Sequence, residues 1–422
     1  MRLEKLAARD FRGFASLDLD FEPDVTVLVG VNGAGKTSIL DALAVMLSSV
    51  VEGIRGAALA PPQLDLGDVR VGTAAAQLEV RAKDGAEAVA WSTAITRPGH
   101  PPRDGGDVAA LRPVVARAQS TVEAGEPRLP LAVYFLTNRN ALDIPERIRT
   151  RHEFAPLSAY DGALDAGVTS FREFFEWFRE AEDLYNERIA REKQAMLFAA
   201  TEEATKLPIV VVKKAIDRLF RDALDLRIER SPQRMTALRR GVRLDVSRLS
   251  DGEKCLLATA GDLARRMVLA APNLHDPLDQ EAIVLVDELE LHLHPGLQRE
   301  ILPRLCETFP NTQFVATTHS PQVLSSVRAR NVRLLEDFKV RPLDEATWHR
   351  DTNDILGRVF GDPGRPPEVA GLLNQLRAAI DADEPAAARD LLRQLEGMIE
   401  GSDPDVFSLA QQLPPEDAES RA

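Results

Sequence analysis

The sequence contains only two cysteines, Cys255 and Cys306, among its 422 residues. Two thiols exclude a disulfide framework, and by themselves they cannot provide the ligands of a zinc site. We expect two buried thiols, with a redox-active pair as the alternative.

Long apolar runs are also absent, since no run approaches the roughly 18 residues that a membrane-spanning helix requires. The first five residues alternate between polar and apolar and lead into no apolar signal core. The composition, with 44% hydrophobic and 28% charged residues, is typical of a globular protein. We therefore expect a cytoplasmic protein without a membrane partner.

Positively charged residues are fewer than negatively charged ones: the chain has 52 Lys and Arg against 66 Asp and Glu, which gives a net charge of −14. This balance argues against nucleic acid coating the whole surface. One segment departs from it, because residues 213–248 hold eleven Lys and Arg against five Asp and Glu, a local excess of six. This basic segment is either a solvated helix face or a phosphate-contacting surface.

Residues 30–37, here called the phosphate loop, read Gly-Val-Asn-Gly-Ala-Gly-Lys-Thr and match the pattern G-x-x-x-x-G-K-[ST]. An apolar, β-branched run precedes the loop and a helical pattern follows it, so it should connect a buried strand to a helix N-terminus. Backbone N–H groups would cradle phosphates there, Lys36 would contact the outer phosphates, and the Thr37 hydroxyl would bind Mg²⁺. The predicted nucleotide contacts are Asn32, Gly33, Ala34, Gly35, Lys36, Thr37 and Ser38. The alternative is a glycine-rich turn with a solvated lysine.

A second apolar run, residues 282–286, ends in Asp287 and Glu288. A buried strand would deliver Asp287 to the Mg²⁺ ion, directly or through water. Glu288 would then orient or deprotonate the attacking water. Such a pair is common by chance, but its order and distance from a phosphate loop favour a catalytic role.

Three histidines lie near this pair. His319 ends a predicted strand that begins at Gln313, where it could sense the γ-phosphate or could be a satisfied core histidine. His292 and His294, with Glu288 and Glu290, could form a metal cluster. The other interpretation of that stretch is a turn at a subunit interface.

The signature segment, residues 249–254, reads Leu-Ser-Asp-Gly-Glu-Lys and opens a predicted helix that continues through Met267. Ser250 and Glu253 have the spacing of a capping box. The cap explains the local pattern but not its position between the two halves of a nucleotide site.

The rest of the chain alternates predicted strands and helices. Residues 3–14 are predicted to form a strand that runs into a turn. Further strands are predicted at residues 16–21, 76–81, 88–95, 131–136, 226–228, 242–246 and, last, 332–335. Arg12 would either contact the nucleotide or be a surface arginine. A helical block spans about residues 150–225, and its aromatic stripe at 171–178 favours a core face over a base-stacking platform. Two stripes of leucines beyond residue 351 predict a helical hairpin.

Together these motifs resemble the ATP-binding-cassette ATPases of the RecF, SMC and OLD type. Residues 30–37 match the Walker A loop of these proteins, residues 283–288 their Walker B strand and residues 249–254 their signature motif. Residues 291–295 lie where the D-loop is expected, and His319 matches the switch histidine. Residues 11–14 resemble the opening segment of RecF-like heads. The Q-loop has two candidates, Gln63 and Asn138.

The resemblance implies an α/β fold, an ATP-binding-cassette head with a mixed central sheet and an antiparallel β subdomain. An inserted helical subdomain and a small C-terminal helical hairpin would complete it. The expected domains are residues 1–150 with the phosphate loop, 151–245 with the helical insertion and basic segment, 246–345 with the signature segment and His319, and 346–422 as a helical partner-binding region.

The resemblance also implies a mechanism with ATP and Mg²⁺ as ligands. In such families two heads enclose two ATP molecules, so Ser250, Gly252 and Glu253 would act on the nucleotide of a second copy. Residues 134–148, 171–183 and 351–356 resemble the ATPase subunits of Septu-type and retron-associated antiphage systems. A homodimer or larger assembly would then regulate an HNH-type nuclease or another effector, with DNA or retron RNA/DNA as a possible ligand of the basic segment.

OLD-type proteins carry a TOPRIM nuclease domain, which this sequence does not resemble. Residues 381–383, Asp-Ala-Asp, follow a predicted helix rather than a strand, so we expect no nuclease site in this chain. The alternatives are a RecF-like DNA-repair ATPase that acts directly on DNA, a scaffold in which ATP only joins subunits, and a transporter ATPase. The sequence identifies neither the activating trigger nor the effector.

Overall fold

The structure, a computed structural model, describes residues 1–103, 105–137, 155–165, 171–194, 207–231, 233–362 and 364–414, without the side chains of residues 191–194. The chain forms two compact units, residues 1–349 and 350–422. The Q-loop candidate Asn138 and part of the segment 134–148 lie outside the described residues. The finer division into four domains stays a proposal.

In its described residues, the first unit contains thirteen β-strands and eight α-helices. The strands are β1 Arg2–Phe11, β2 Phe14–Asp20, β3 Val25–Gly30, β4 Ala75–Asp84, β5 Glu87–Thr96, β6 Leu131–Phe135, β7 Arg227–Arg230, β8 Gln233–Arg239, β9 Val242–Asp245, β10 Ala282–Val286, β11 Thr312–Thr318, β12 Val332–Glu336 and β13 Lys339–Pro342. The helices are α1 Lys36–Ile54, α2 Arg112–Glu123, α3 Phe171–Gln194, α4 Pro208–Phe220, α5 Asp251–Ala270, α6 Pro295–Gln298, α7 Ile301–Thr308 and α8 Pro321–Leu324.

The central sheet has the strand order β13-β12-β3-β11-β10-β6. All neighbours pair in parallel except β13, which runs antiparallel to β12 at the edge. Strands β3, β6, β10 and β11 are buried at every position, as their continuous apolar sequences predict for a sheet covered on both faces. The carboxyl ends of β3, β10 and β11 therefore meet at one edge of the sheet.

An antiparallel sheet of order β2-β1-β4-β5 accompanies the central one. Strand β1 pairs with both β2 and β4, which places the N-terminal strands beside residues that follow α1 in sequence. The predicted fold class is confirmed: a mixed central sheet, an antiparallel β subdomain, inserted helices and a C-terminal helical part.

Helix α1 follows the phosphate loop directly. By length and composition it is the one described helix that could cross a membrane, but 67% of its apolar window is buried inside the protein. Its buried face includes Ile39, Leu40 and Leu43, which belong to the core beneath the central sheet.

The inserted helices α3 and α4 pack against α5. Phe171, Phe174 and Phe178 are fully buried. The Phe174 ring lies between the other two along α3 and contacts both. A Cβ atom at Gly261 of α5 would lie 2.7 Å from the Phe174 ring, so this close approach requires glycine. The interpretation of the aromatic stripe as a core face is therefore confirmed.

Helix α5 carries a buried ionic cluster. Arg265 and Arg266 both bind Asp262, and Arg266 also donates to the carbonyl oxygens of Ala159 and Asp161 at 2.7 and 2.8 Å. Burial alone would raise the pKa of Asp262, but the two guanidinium groups hold it below its ordinary value. Because breaking one partner would leave a buried charge unpaired, this cluster fixes the position of α5.

Two strands of the structure were not predicted from the sequence. Strand β8 pairs with β7 and β9 in a three-stranded sheet, where only the two outer strands were predicted. The prediction that residues 332–335 form the last strand was wrong, because β13 follows and pairs with β12. Both missed strands are partly exposed and lack the apolar runs that marked the central strands.

The second unit, in its described residues, is helical, with α9 Thr352–Phe360, α10 Pro367–Asp381, α11 Pro385–Met398 and α12 Pro404–Ala410. Leu373, Leu376 and Leu395 are buried between α10 and α11, which confirms the predicted hairpin. Helix α12 adds Val406 and Leu409 to the same small core.

Candidate functional site

The phosphate loop leaves the carboxyl end of β3, and its shape depends on two glycines. A Cβ atom at Gly30 would lie 2.3 Å from the carbonyl oxygen of Leu335 on the neighbouring strand. Gly35 has a φ of 99°, and a Cβ atom there would lie 2.6 Å from the Phe14 ring. The loop can therefore follow this path only with glycine at both positions.

The Lys36 ammonium lies over the loop. Its Nζ donates to the carbonyl oxygens of Gly30 at 3.0 Å and Val31 at 3.1 Å. Burial lowers the pKa of Lys36, while the nearby carboxylates of Asp287 and Glu288 oppose that shift. A buried cation beside the N-terminus of α1 fits a polyphosphate, whose negative charge would compensate the cost of its burial.

Two hydroxyls meet the carboxylate of Asp287. Thr37 Oγ1 lies 3.0 Å from Asp287 Oδ2, and Thr317 Oγ1 donates to Asp287 Oδ1 at 2.6 Å. Carboxylate and hydroxyl oxygens next to a phosphate site are the protein ligands that Mg²⁺ uses. Thr37 and Asp287 therefore fit the ion that the sequence predicted for them.

Glu288 follows Asp287 with a backbone φ of 47°, which is uncommon for a residue other than glycine. Its N–H donates to Thr317 Oγ1 at 2.7 Å, so one threonine fixes both carboxylate residues. The Glu288 side chain is half-buried near Lys36 and His319, since its charge contributes to the pKa of each.

His319 lies at the end of β11, beside β3 in the sheet. Its backbone N–H donates to Glu290 Oε1 at 2.5 Å, and the Thr318 hydroxyl donates to Glu290 Oε2 at 2.6 Å. Burial, followed by the positive charge of Lys36, lowers the pKa of His319. This shift favours the neutral imidazole, which can both donate and accept a hydrogen bond.

The signature segment begins α5 with the predicted capping box. Ser250 Oγ accepts from the N–H of Glu253 at 3.3 Å, and the Ser250 N–H donates to Glu253 Oε2 at 3.1 Å. Arg239 donates to the other oxygen of Glu253 at 3.0 Å. The Ser250 hydroxyl also donates to Glu253 Oε2 at 2.8 Å. Ser250 is exposed, so a ligand could reach this hydroxyl by taking the place of Glu253 as its partner.

The start of α5 lies at the same edge of the sheet as the phosphate loop. The C-terminal end of α5 lies near the start of β6, because the Leu129 N–H donates to the Ala270 carbonyl at 3.1 Å. A 20-residue helix is about 30 Å long and overshoots a strand of five residues. Gly252 packs on the turn after β10, where a Cβ atom would lie 2.6 Å from the His292 carbonyl oxygen.

Arg12 is engaged by two carboxylates. Its guanidinium contacts Asp41 of α1 at 2.5 Å and Asp68 at 2.9 Å, and the Tyr134 hydroxyl donates to Asp41 at 3.0 Å. Arg12 therefore braces the helix after the phosphate loop, and a direct nucleotide contact would require it to exchange one of these partners.

The metal cluster is not supported. The described residues contain no group of three or more His, Cys, Asp or Glu placed to hold a metal ion. His294 Nδ1 accepts from the Gly296 N–H at 3.2 Å and so caps α6, while Glu290 is occupied by Thr318 and His319. Of the Q-loop candidates, Gln63 is exposed.

The two cysteines do not form a disulfide. Cys255 is buried, and Cys306 is half-buried in α7. Burial raises the pKa of the Cys306 thiol to about 12, so it carries almost no thiolate at neutral pH. Both observations favour ordinary packing over redox chemistry.

Most cations of the basic segment are held in ion pairs. Eight of its eleven Lys and Arg contact a carboxylate: Lys213, Lys214, Arg221, Arg227, Arg230, Arg234, Arg239 and Arg243. Several partners, such as Glu182, Asp276 and Glu300, lie far away in sequence. The local excess of positive charge is therefore largely compensated in the folded chain.

Thr317 and Glu290 have structural roles in the site that were not predicted from the sequence, where Glu290 was only a candidate metal ligand. Thr317 holds Asp287 and Glu288, and Glu290 holds the strand end that carries His319. Consecutive threonines at the end of a buried strand were a visible signal, because a buried hydroxyl must find a partner.

Two family models match the chain. One, described as "AAA domain, putative AbiEii toxin, Type IV TA system", matches residues 135–325. The other, described as "AAA domain", matches residues 5–205. The two matches together include the phosphate loop, the signature segment, Asp287, Glu288 and His319.

The chain is similar to retron and Septu proteins and to a solved SMC head domain. The chain is 27% identical to "Retron Ec83 probable ATPase" of Escherichia coli, over 87% of this chain and 78% of that protein. It is 34% identical to "Septu protein PtuA" of Bacillus mycoides (strain KBAB4) over 31% of this chain and 18% of that protein. The "SMC head domain from Thermotoga maritima" is 16% identical and covers 82% of this chain and all of its own, with a TM-score of 0.42. The relatives confirm the resemblance that the motifs predicted.

Proposed function

We propose that this RecF/SMC-like ATPase of antiphage defence binds ATP and Mg²⁺, closes around them as a homodimer or larger assembly, and switches a partner effector. The observation that carries the proposal is the convergence of Lys36, Asp287, Glu288 and His319 at one edge of the sheet. The exposed Ser250 lies at the same edge, on a helix N-terminus.

The phosphate loop and Lys36 bind and orient the polyphosphate in this proposal. Asn32, Gly33, Ala34, Gly35 and Ser38 surround it with loop and helix N–H groups. Thr37 and Asp287 hold Mg²⁺, which neutralises charge on the outer phosphates. Because the Thr37 and Asp287 oxygens already lie 3.0 Å apart, little rearrangement is needed to share an ion.

Glu288 and His319 act at the γ-phosphate end of the bound ATP. Glu288 orients or deprotonates the attacking water, and its backbone is fixed by Thr317 for that task. His319 donates a hydrogen bond from its imidazole to the γ-phosphate.

Ser250, Gly252 and Glu253 complete the site of a second copy. The exposed position of Ser250 at the N-terminus of α5 suits an anion offered by another chain. Glu253 positions Ser250 through the capping box rather than touching phosphate. The contact between Gly252 and the turn at His292 would connect one site to the residues after Glu288 in the same chain.

The effector is an HNH-type nuclease or another protein, and we place the assembly in the cytoplasm. The retron and Septu relatives support the defence setting by their names. Residues 346–422 are the partner-binding region in this proposal. We propose no nuclease site in this chain.

Phage challenge tests the proposal. Cells that carry this chain with its neighbouring genes should resist phage, and Lys36→Ala should abolish resistance because nucleotide binding is lost. The measurement is the efficiency of plating, with the exposed Lys83→Ala as the matched control. Full resistance with Lys36→Ala would reject an ATP-driven switch.

The second candidate, a RecF-like repair ATPase, is favoured only by the positive excess of the basic segment. Because eight of those cations are paired, we expect the chain alone to bind double-stranded DNA weakly and with a shallow dependence on salt. Titration at two salt concentrations measures this. Tight binding that falls steeply with salt, and that Arg227→Glu with Arg234→Glu removes, would instead favour direct action on DNA.

A further inference from the structure

The turn between β12 and β13 contains a bulky residue in a conformation that rarely accepts one. Glu336 pairs with Lys339, so Asp337 and Phe338 form a two-residue turn. Their φ angles are 47° and 56°, both in the left-handed region. Such turns favour Asn and Gly, and a phenylalanine there is disfavoured by its own backbone. A strained residue of this kind persists only where the surrounding structure holds it in place, and such residues cluster at active sites and ligand-binding sites.

The Phe338 ring lies against the phosphate loop. A Cβ atom at Gly35 of the loop would lie 3.1 Å from the ring. The ring also covers Gly13, in the turn between β1 and β2, where a Cβ atom would lie 2.0 Å from it. The ring also packs edge-on against Phe14, with centroids 5.4 Å apart and planes at 87°. Phe14 is fully buried, whereas Phe338 is only half-buried and keeps part of its surface open to solvent.

The strand order gives the direction in which a bound nucleotide lies. Strands β11 and β10 flank β3 on one side, and they carry the groups proposed for the outer phosphate, His319, Asp287 and Glu288. Strand β12 flanks β3 on the other side, with Leu335 paired to Gly30. A polyphosphate whose outer end points to β10 and β11 must leave the loop on the β12 side at its nucleoside end. Phe338 follows β12 at that point.

We propose that Phe338 is the platform on which the nucleobase stacks, a role that rests on the proposed nucleotide site and deepens it. An aromatic face recognises the π-face of any base, so the contact adds affinity without selecting one purine over another. The strained turn then has a reason, because an asparagine or glycine would fit the backbone better but would offer the base nothing to stack on.

Binding of ATP compared with inorganic tripolyphosphate, both with Mg²⁺, tests the role. In Phe338→Asn, which suits the turn, affinity for ATP and for GTP should fall about tenfold, the loss expected for one stacked base. Affinity for tripolyphosphate should stay within twofold, and the thermal midpoint should not fall. Phe338→Tyr should retain ATP affinity. Phe407→Ala, an exposed aromatic of the second unit, is the matched control.

The outcomes separate the possibilities. If Phe338→Asn weakens ATP and tripolyphosphate equally, the ring only supports the loop and the proposal is wrong. Unchanged ATP affinity in that variant also overturns it. A wild-type chain that binds neither tripolyphosphate nor ATP contradicts the proposed function itself. Measuring the wild type first therefore separates that failure from a failure of the Phe338 proposal.

Discussion

Glu288→Gln should reduce ATP turnover by at least about 100-fold, the scale of a lost general base, while ATP stays bound. The amide preserves the size of the side chain and leaves the backbone contact to Thr317 intact. It removes the carboxylate that would take a proton from water. Because the triphosphate is then not cleaved, the closed pair should accumulate. Phosphate release measures turnover, and light scattering with ATP measures the assembly.

Glu307→Gln is the matched control, since Glu307 is exposed on α7 and has no place in the site. It should hydrolyse ATP as the wild type does. Turnover by Glu288→Gln at the control rate would reject the catalytic assignment. Loss of ATP binding in that variant would also contradict it, because the phosphate loop does not depend on this carboxylate.

Ser250→Asp should abolish turnover without unfolding α5, and this is the second large effect. Aspartate caps a helix N-terminus as well as serine does. It loses the hydrogen bond that the Ser250 hydroxyl donates to Glu253 Oε2 at 2.8 Å, so thermal unfolding is measured to check that the fold is kept. Its carboxylate would repel a triphosphate presented by another chain. The variant should still bind ATP in its own phosphate loop, because Ser250 acts on the partner's nucleotide in this account.

Ser247→Asp provides the control, since Ser247 is exposed three residues earlier and precedes the helix. It should leave turnover near the wild-type rate. ATP binding and thermal unfolding are measured for both variants together with phosphate release. A Ser250→Asp protein with normal turnover would show that the signature segment makes no contact with nucleotide.

Features that depend on neighbouring residues were predictable from sequence. The phosphate loop, the strand before Asp287 and the capping box at Ser250 each follow from a pattern a few residues long. The helical hairpin of the second unit also follows from local apolar stripes. In each case the local pattern and the tertiary packing favour the same structure.

Features that depend on distant partners were not predictable. The charge of the basic segment is compensated by carboxylates such as Asp276 and Glu300, which only the fold brings near. Thr317 and Glu290 gain their importance from contacts with residues about 30 positions away. Strand β13 is short and exposed, and its turn contradicts local preference, so no sequence pattern marked it.

The central claim is that each copy completes the nucleotide site of another, and mixing two inactive variants tests it most directly. Lys36→Ala lacks a working phosphate loop but keeps Ser250, and Ser250→Asp has the opposite defect. In a two-fold pair, half the molecules of an equal mixture are heterodimers with one intact site of two, so turnover should recover to about one quarter of the wild-type rate. A mixture as inactive as its components, or a strictly monomeric chain that hydrolyses ATP at the full rate, would contradict the account.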